Sequence, residues 1–258
     1  MQDATNAFHL RELHWCALFS FIVQDEQQYV SKVKQRLIKI NNDITKAITM
    51  SPLQQRGENE LPIELLYAQV VVCEDPKFRE KGHGFTQHNR EVVNPDDILM
   101  QNNEVVKKIY MLGDAAHGKT TYCIWLVKNW CSAQHGDPEG IKQLDHWGKA
   151  LRKFDFVFLL QLRNVNRKRA SMIDMICMDV FGDDRVCHLA IRHILSSEKY
   201  RSLVIMDGLD EWDPDEETRK QLTRQGMPNT EGISSTVSCF FSMRPWVFST
   251  ISKLGKSQ

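Results

Sequence analysis

From residue 26 onward, apolar residues recur every three or four positions: Tyr29, Val33, Leu37, Ile40, Ile44 and Ile48. Charged residues, mostly lysine and arginine, stand between them, so the apolar side chains share one face of a predicted helix that needs a packing partner. The earlier run HWCALFSFIV, 14–23, is about half as long as a membrane-spanning helix and predicts a buried helix. A poor signal sequence is the alternative, although acidic and polar residues precede the run instead of basic ones.

Beyond residue 104 the chain alternates apolar strands with helices, which is typical of a parallel sheet wrapped by helices. The predicted strands are apolar runs near 105–112, 154–162, 202–207 and 236–243. The predicted helices between them lie at 119–133, 171–181 and 186–197, with a last one beginning near Trp246. The fold class is therefore α/β, with a mostly parallel sheet preceded by an N-terminal helical segment.

Proline, glycine and polar residues concentrate in SPLQQRGENELP, 51–62, which predicts a linker. We therefore expect an N-terminal helical segment at 1–50 and a larger domain at 63–258. IELLYAQVVV, which opens this domain, is compatible with an extended segment. A short helix is predicted to follow Asn94, with Asn94 as its N-cap and Pro95 at its first position.

The charge and cysteine content exclude several classes of protein. Lys plus Arg number 33 and Asp plus Glu number 33, so no net field attracts nucleic acid or an anionic membrane. The seven cysteines are scattered, and none are spaced as CxxC. This pattern fits neither a disulfide framework nor a zinc site, and it predicts reduced core thiols in a cytoplasmic protein.

GDAAHGKT, which begins at Gly113, matches the spacing of a loop that wraps phosphate between a strand and a helix. Gly113 and Gly118 are expected to supply backbone freedom where a Cβ would obstruct the wrap. The helix that begins near Lys119 would direct free amides at the anion. Lys119 would reach the β and γ phosphates, and the Thr120 hydroxyl would ligate Mg²⁺. The alternative is a plain turn that happens to contain a lysine.

Two later strands end in charged residues. SLVIMDGLDEW places Asp207 at the carboxyl end of a strand, where it could hold Mg²⁺. Asp210 or Glu211 could orient or deprotonate an attacking water, unless this stretch is merely a polar turn. FFSMRPW places Arg244 where a guanidinium could contact a terminal phosphate.

These stretches in this order resemble the NACHT family of nucleotide-binding modules, found in NOD-like receptors and related signalling ATPases. GDAAHGKTT resembles its Walker A motif, LVIMDGLDEW its extended Walker B motif, and FFSMRPW its sensor motif. FDFVFLLQLRNV is similar to the family's second strand. The resemblance covers roughly residues 63 to 256. It implies a three-layer P-loop NTPase whose sensor strand lies between the Walker A and Walker B strands.

The resemblance also implies a function, an innate-immune-type ATP/ADP switch with slow hydrolysis that self-associates and signals to an adaptor the sequence does not identify. The phosphate-binding residues would be Gly113, Asp114, Ala115, Ala116, His117, Gly118, Lys119, Thr120 and Thr121, with His117 itself pointing outward. Thr120 and Asp207 would hold Mg²⁺, Asp210 or Glu211 the hydrolytic water, and Arg244 would sense the terminal phosphate.

The sequence departs from the family pattern in places. Ala116 stands where many members have a glycine, and Met243 replaces a small polar residue; neither change removes a required group. The chain stops at Gln258, soon after the sensor, so we expect the domain to be C-terminally incomplete. Two other functions stay open: a P-loop kinase of nucleosides or small molecules, with RNVNRKR (163–169) as its lid, and a non-hydrolysing scaffold. In the scaffold, bound nucleotide would serve only as structural filler.

Overall fold

The structure is a computed structural model that describes residues 26–45, 48–49, 60–61, 94–135 and 145–254. The predicted helix at 14–23, the extended segment after the linker and most of the linker itself lie outside these ranges. The strands are β1 (Ile48–Thr49), β2 (Glu60–Leu61), β3 (Met100–Gln101), β4 (Glu104–Val105), β5 (Lys108–Leu112), β6 (Phe156–Gln161), β7 (Ser202–Asp207) and β8 (Val237–Met243). The α-helices are α1 (Glu26–Thr45), α2 (Pro95–Leu99), α3 (Lys119–His135), α4 (His146–Leu151), α5 (Met172–Met175), α6 (Arg185–Ser196), α7 (Glu216–Arg219) and α8 (Pro245–Leu254). Leu162–Asn164 forms a 3₁₀ turn and Ile176–Val180 a π-helical turn that continues α5.

The four long strands form one parallel sheet in the order β5-β8-β7-β6. Every residue of β7 and β8 is buried, as is all of β6 except its last residue, because helices cover both faces. The strand that precedes the glycine-rich loop, β5, pairs with β8, and β8 separates it from β7. The predicted α/β class and the predicted position of the sensor strand are both confirmed.

The structure corrects several boundaries near the N-terminus. The helix predicted to reach Ile48 ends at Thr45, and Ile48 instead pairs with Leu61 in a two-stranded antiparallel ladder. Ile48 and Thr49 are β-branched, a residue type that favours extended backbone. The β2 strand therefore lies inside the predicted linker. The predicted strand at 105–112 is split, because a hairpin of β3 and β4 precedes β5.

Capping residues define two short helices. The Asn94 side chain accepts a hydrogen bond from the Asp96 amide at 3.2 Å, which confirms the predicted start of α2. Helix α4 was not predicted from the sequence; Asp145 caps it by accepting a hydrogen bond from the Gly148 amide at 2.6 Å. Both caps satisfy backbone amides that have no partner within the helix.

Helix α1 packs on the domain that contains the sheet. Val33 and Leu37 are fully buried in the same hydrophobic core as the strands. The Asn41 side-chain amide donates to the backbone carbonyl of Val157 in β6 at 3.0 Å. At the start of the helix, Glu26 accepts hydrogen bonds from the Lys199 ammonium and the Tyr200 hydroxyl. The apolar face predicted from the spacing therefore has its packing partner.

The cysteines in the described part of the chain are all reduced and buried, namely Cys123, Cys131, Cys177, Cys187 and Cys239. Burial raises the pKa of Cys131, Cys177 and Cys239 to about 12, because a buried thiolate loses its hydration. These thiols stay protonated at neutral pH. For these five residues, the prediction of core thiols is confirmed.

Candidate functional site

The glycine-rich loop connects the end of β5 to the start of α3. The Lys119 ammonium turns back over this loop and donates to the carbonyls of Gly113 at 2.7 Å and Asp114 at 2.8 Å. The first regular turn of α3 is closed by the Tyr122 amide, which donates to the Gly118 carbonyl at 2.8 Å. The amides at the start of α3 have no acceptor within the helix and are available to an anion.

Two residues of the loop have left-handed backbone conformations, Gly118 with φ +77° and Ala116 with φ +62°. Glycine reaches this region freely, as predicted for Gly118, whereas the Ala116 Cβ makes the conformation unfavourable. The positive φ at this position thus explains why many family members have a glycine where this chain has Ala116. Gly113 differs from the expectation: a Cβ there would lie 3.5 Å from the Lys119 Cγ, an ordinary van der Waals contact.

The Asp207 carboxylate lies at the carboxyl end of β7 and is almost completely buried. Its Oδ1 atom accepts a hydrogen bond of 2.5 Å from the Ser242 hydroxyl of β8. The chain turns directly afterwards at Gly208, whose φ is +77°. Burial, and then the neighbouring Asp207 carboxylate, raise the pKa of the Cys123 thiol well above its usual value. Cys123 and Ser242 are thus neighbours of the Asp207 carboxylate. The sequence predicted Asp207 as a site residue but not these two neighbours.

The two acidic residues after Gly208 each pair with a different arginine, and each arginine follows a strand next to β7. The Oδ2 atom of Asp210 forms an ion pair with the Arg244 Nε atom at 2.8 Å. The Asp210 side chain is 4% exposed, and among the described residues its Oδ1 atom has no hydrogen-bond partner. Glu211 is about half-exposed, and its Oε2 atom lies 3.7 Å from Nη1 of Arg163, which follows β6. Each acid therefore has its own basic neighbour.

The basic cluster 163–169, a candidate lid in the sequence, is largely neutralised within this domain. Arg167 forms an ion pair of 2.5 Å with Asp213, and Arg169 pairs with Asp179. Only Arg163, through Glu211, is connected to the site. In the sequence, the position of Arg163 directly after a predicted strand is the one signal for that connection.

One cavity of about 270 Å³ collects most of the predicted site residues. Its lining comprises Ala115, Ala116, His117, Gly118, Lys119, Thr120, Thr121, Asp207, Gly208, Asp210, Glu211 and Arg244. Of the predicted residues, only Gly113 and Asp114 are outside this lining, and both contact the Lys119 ammonium through their carbonyls. His117 is exposed, as expected, and still borders the cavity.

The donors around this cavity fit a magnesium nucleotide. Amides and an ammonium group suit phosphate oxygens, and the oxygen donors of Thr120 and Asp207 suit Mg²⁺, which proteins usually bind through few carboxylates together with substrate phosphates. Arg244 adds a half-exposed guanidinium to the same lining. The arrangement can hold a polyphosphate in a cavity that acidic side chains and an arginine also line.

Comparison with known proteins agrees with this geometry. In the described ranges, no helix combines the length and apolar character that a membrane crossing requires. No curated protein matches the chain. The family model described as the NACHT domain matches residues 107–246, a stretch that runs from the residue before β5 to the residue after Pro245. The loop, the buried aspartate and the arginine after β8 all fall within this match, and the chain belongs to the NACHT-domain family of P-loop NTPases.

Proposed function

We propose that this nucleotide-binding domain is an ATP/ADP switch with slow, Mg²⁺-dependent hydrolysis. The observation that carries the proposal is the single cavity that joins the Lys119 loop, the Asp207 carboxylate and the Arg244 guanidinium. A triphosphate needs cations at its phosphates, a metal-holding acid and a group that distinguishes a terminal phosphate. The three side chains lie at the end of, or after, three separate strands of the sheet and border the same space.

The loop and the start of α3 hold the phosphates. The Lys119 ammonium is already positioned by the Gly113 and Asp114 carbonyls, so little side-chain entropy is lost when it contacts phosphate. Thr120 and Asp207 hold Mg²⁺, which when bound neutralises part of the phosphate charge. The features described above concern the phosphates and Mg²⁺. The choice of adenine as the base follows from the family resemblance.

Within the acidic pair, the geometry favours Glu211 as the residue that orients the hydrolytic water. Asp210 is buried and engaged with Arg244, whereas Glu211 is half-exposed and borders the cavity. The Arg163 guanidinium, 3.7 Å from Oε2 of Glu211, gives this carboxylate a basic neighbour beside the cavity. Both acids were candidates from the sequence, and the proposal now separates their roles.

Arg244 serves as the sensor of the terminal phosphate. Its guanidinium is about half-exposed and borders the cavity, so a phosphate can reach it without a large rearrangement. Arginine binds phosphate at least as well as carboxylate, and a γ-phosphate would compete with Asp210 for the same donor group. Asp210, in the turn after β7, would then have a different partner in the ATP-bound protein from the one it has in the ADP-bound protein.

A binding experiment tests the phosphate site. We expect Lys119→Ala to abolish Mg²⁺-dependent binding of a fluorescent ATP analogue, because the triphosphate loses its main cation. Lys149→Ala is the control, since Lys149 is exposed on α4 and does not border the cavity. Equal affinity of the Lys119 variant and the unaltered protein would remove Lys119 from its assigned role.

A hydrolysis experiment tests the acid. Glu211→Gln should lower the rate of phosphate release by about 100-fold or more while nucleotide affinity changes little, because only proton acceptance is lost. Glu216→Gln, at an exposed residue of α7, is the matched control. A Glu211→Gln protein that hydrolyses ATP at the normal rate would refute the assignment.

The remaining parts of the proposal follow the family resemblance. We assign the switch to innate-immune-type signalling in the cytoplasm, with ATP-dependent self-association through this domain and an adaptor still to be identified. Light scattering of the protein with ADP and with a non-hydrolysable ATP analogue would measure that association. Rapid phosphoryl transfer to a small acceptor would favour the kinase instead, although the pairing of Arg167 and Arg169 within the domain argues against a lid. Binding without hydrolysis or assembly would favour the scaffold.

A further inference from the structure

The Ser242 hydroxyl connects the sensor strand to the end of the Walker B strand. Ser242 lies two residues before Arg244 and is completely buried. Its hydroxyl donates to Asp207 Oδ1 at 2.5 Å and accepts from the Gly208 amide at 3.0 Å. Its backbone carbonyl accepts a hydrogen bond from the Leu209 amide, also at 3.0 Å. One residue of β8 thus bonds three consecutive residues after Met206.

These bonds restrict how the Asp207 carboxylate can rotate. A serine hydroxyl has a single proton to donate, and here that proton goes to a carboxylate oxygen, which makes a short, charge-assisted bond. The Gly208 amide fixes the hydroxyl from the other side. Because both groups are buried, water cannot replace the serine cheaply if it is removed.

Groups that bond a metal-binding side chain orient it and adjust its affinity for the metal. The Oδ1 atom of Asp207 is anchored by Ser242, which directs the carboxylate while it borders the cavity. The Cys123 thiol is also close to both side chains. The whole arrangement holds the acid in one orientation before any ligand arrives.

We propose that Ser242 is a positioning residue that presents the Asp207 carboxylate to Mg²⁺, and so sets how strongly magnesium strengthens nucleotide binding. This inference rests on the proposed function of the same site. It adds a residue that makes no contact with the nucleotide and acts only through Asp207. It also gives the buried serine of the FFSMRPW stretch a role separate from that of Arg244.

The test measures nucleotide affinity as a function of Mg²⁺ concentration. For Ser242→Ala we expect the Mg²⁺ concentration of half-maximal effect to rise about 10- to 100-fold, the range typical of lost partners of metal ligands. Affinity in excess chelator should stay unchanged, because the loop and Lys119 are untouched. Ser242→Thr keeps the hydroxyl and should restore the original Mg²⁺ dependence.

Ser238→Ala is a matched control on the same strand. Ser238 is also completely buried, and its hydroxyl donates to the Val106 carbonyl at 2.5 Å, at the other end of β8. This variant removes a comparable buried hydrogen bond and should leave the Mg²⁺ dependence unchanged. Amide exchange in nucleotide-free protein gives a second readout, since Gly208 should exchange faster in Ser242→Ala and not in Ser238→Ala.

The outcomes separate this inference from the proposed function. If the unaltered protein binds nucleotide with no effect of Mg²⁺, the proposed function fails. If Mg²⁺ matters but Ser242→Ala behaves like the unaltered protein, or like Ser238→Ala, the role of Ser242 is refuted. Should Ser242→Ala fail to fold, Ser242→Cys carries the test, because a thiol is of similar size and a weaker donor, and its Mg²⁺ dependence should also shift.

Discussion

We expect the two partners of the Asp210–Arg244 ion pair to differ in how much their substitution destabilises the domain. Asp210 is 4% exposed, whereas Arg244 is 42% exposed, although their charged atoms are only 2.8 Å apart. Arg244→Gln would leave a buried carboxylate without its cation, and the Oδ1 atom of that carboxylate already has no partner among the described residues. Asp210→Asn would leave a guanidinium that water can still reach. The first substitution should therefore destabilise the domain more than the second.

The exposures of the two side chains set the expected magnitudes. Removal of one partner from a fully buried ion pair destabilises a protein by about 3–5 kcal/mol. The half-exposure of Arg244 reduces this, so we expect about 2–3 kcal/mol for Arg244→Gln. For Asp210→Asn we expect about 1 kcal/mol, as for a pair whose remaining member stays hydrated. The destabilisation of the double variant should be smaller than the sum of the two single-variant destabilisations by about 1–2 kcal/mol.

Urea unfolding of the four proteins in nucleotide-free buffer measures these free energies. Nucleotide must be absent, because a bound ligand adds stability of its own. Arg192→Gln is the control: Arg192 pairs with Asp174, and both side chains are about half-exposed. That variant should change the free energy of unfolding by less than about 1 kcal/mol. Equal losses for Arg244→Gln and Asp210→Asn, or strict additivity in the double variant, would refute the reasoning.

Other parts of the structure make further predictions. Ala116→Gly should raise the free energy of unfolding by about 1 kcal/mol, because glycine adopts the observed positive φ without strain; a lower melting temperature would contradict this. Leu37→Ala should cost about 2–5 kcal/mol in urea unfolding if α1 shares the core, while Lys39→Ala on its exposed face should stay within about 0.5 kcal/mol. The Lys199 hydrogen bond, the largest cause, lowers the pKa of Glu26 to about 2, so Glu26 stabilises the fold above its unfolded pKa of about 4.5. Glu26→Gln should therefore reduce stability at neutral pH, and a pH series should show the difference vanishing as pH falls from about 4.5 to about 2.

The features predicted from sequence are those carried by short contiguous stretches. The loop from Gly113 to Thr120 has the spacing typical of a phosphate-binding loop, and Asp207 follows an apolar run whose end is easy to place. Neighbouring strands of a parallel sheet are distant along the chain, so local patterns do not show their order. The strand order could therefore be predicted only through the family resemblance. Hydrophobic pattern alone does not determine which strands become neighbours.

The side-chain pairs that connect the strands could not be predicted. Ser242 and Asp207 are 35 positions apart, and their hydrogen bond exists only because β8 lies beside β7. Arg163 and Glu211 meet for the same reason across β6 and β7. The sequence likewise left Asp210 and Glu211 equivalent, because burial distinguishes them and burial depends on the folded turn after Gly208.

Helix α1 also changes how an upstream segment could influence the nucleotide cavity. The Asn41 side-chain amide donates to a backbone carbonyl of β6, which is an edge strand of the sheet. Helix α1 therefore covers part of an edge that could otherwise pair with another polypeptide chain. The same strand leads directly to Arg163 beside Glu211. Displacement of α1 would therefore both expose this edge of the sheet and disturb the strand that ends beside Glu211.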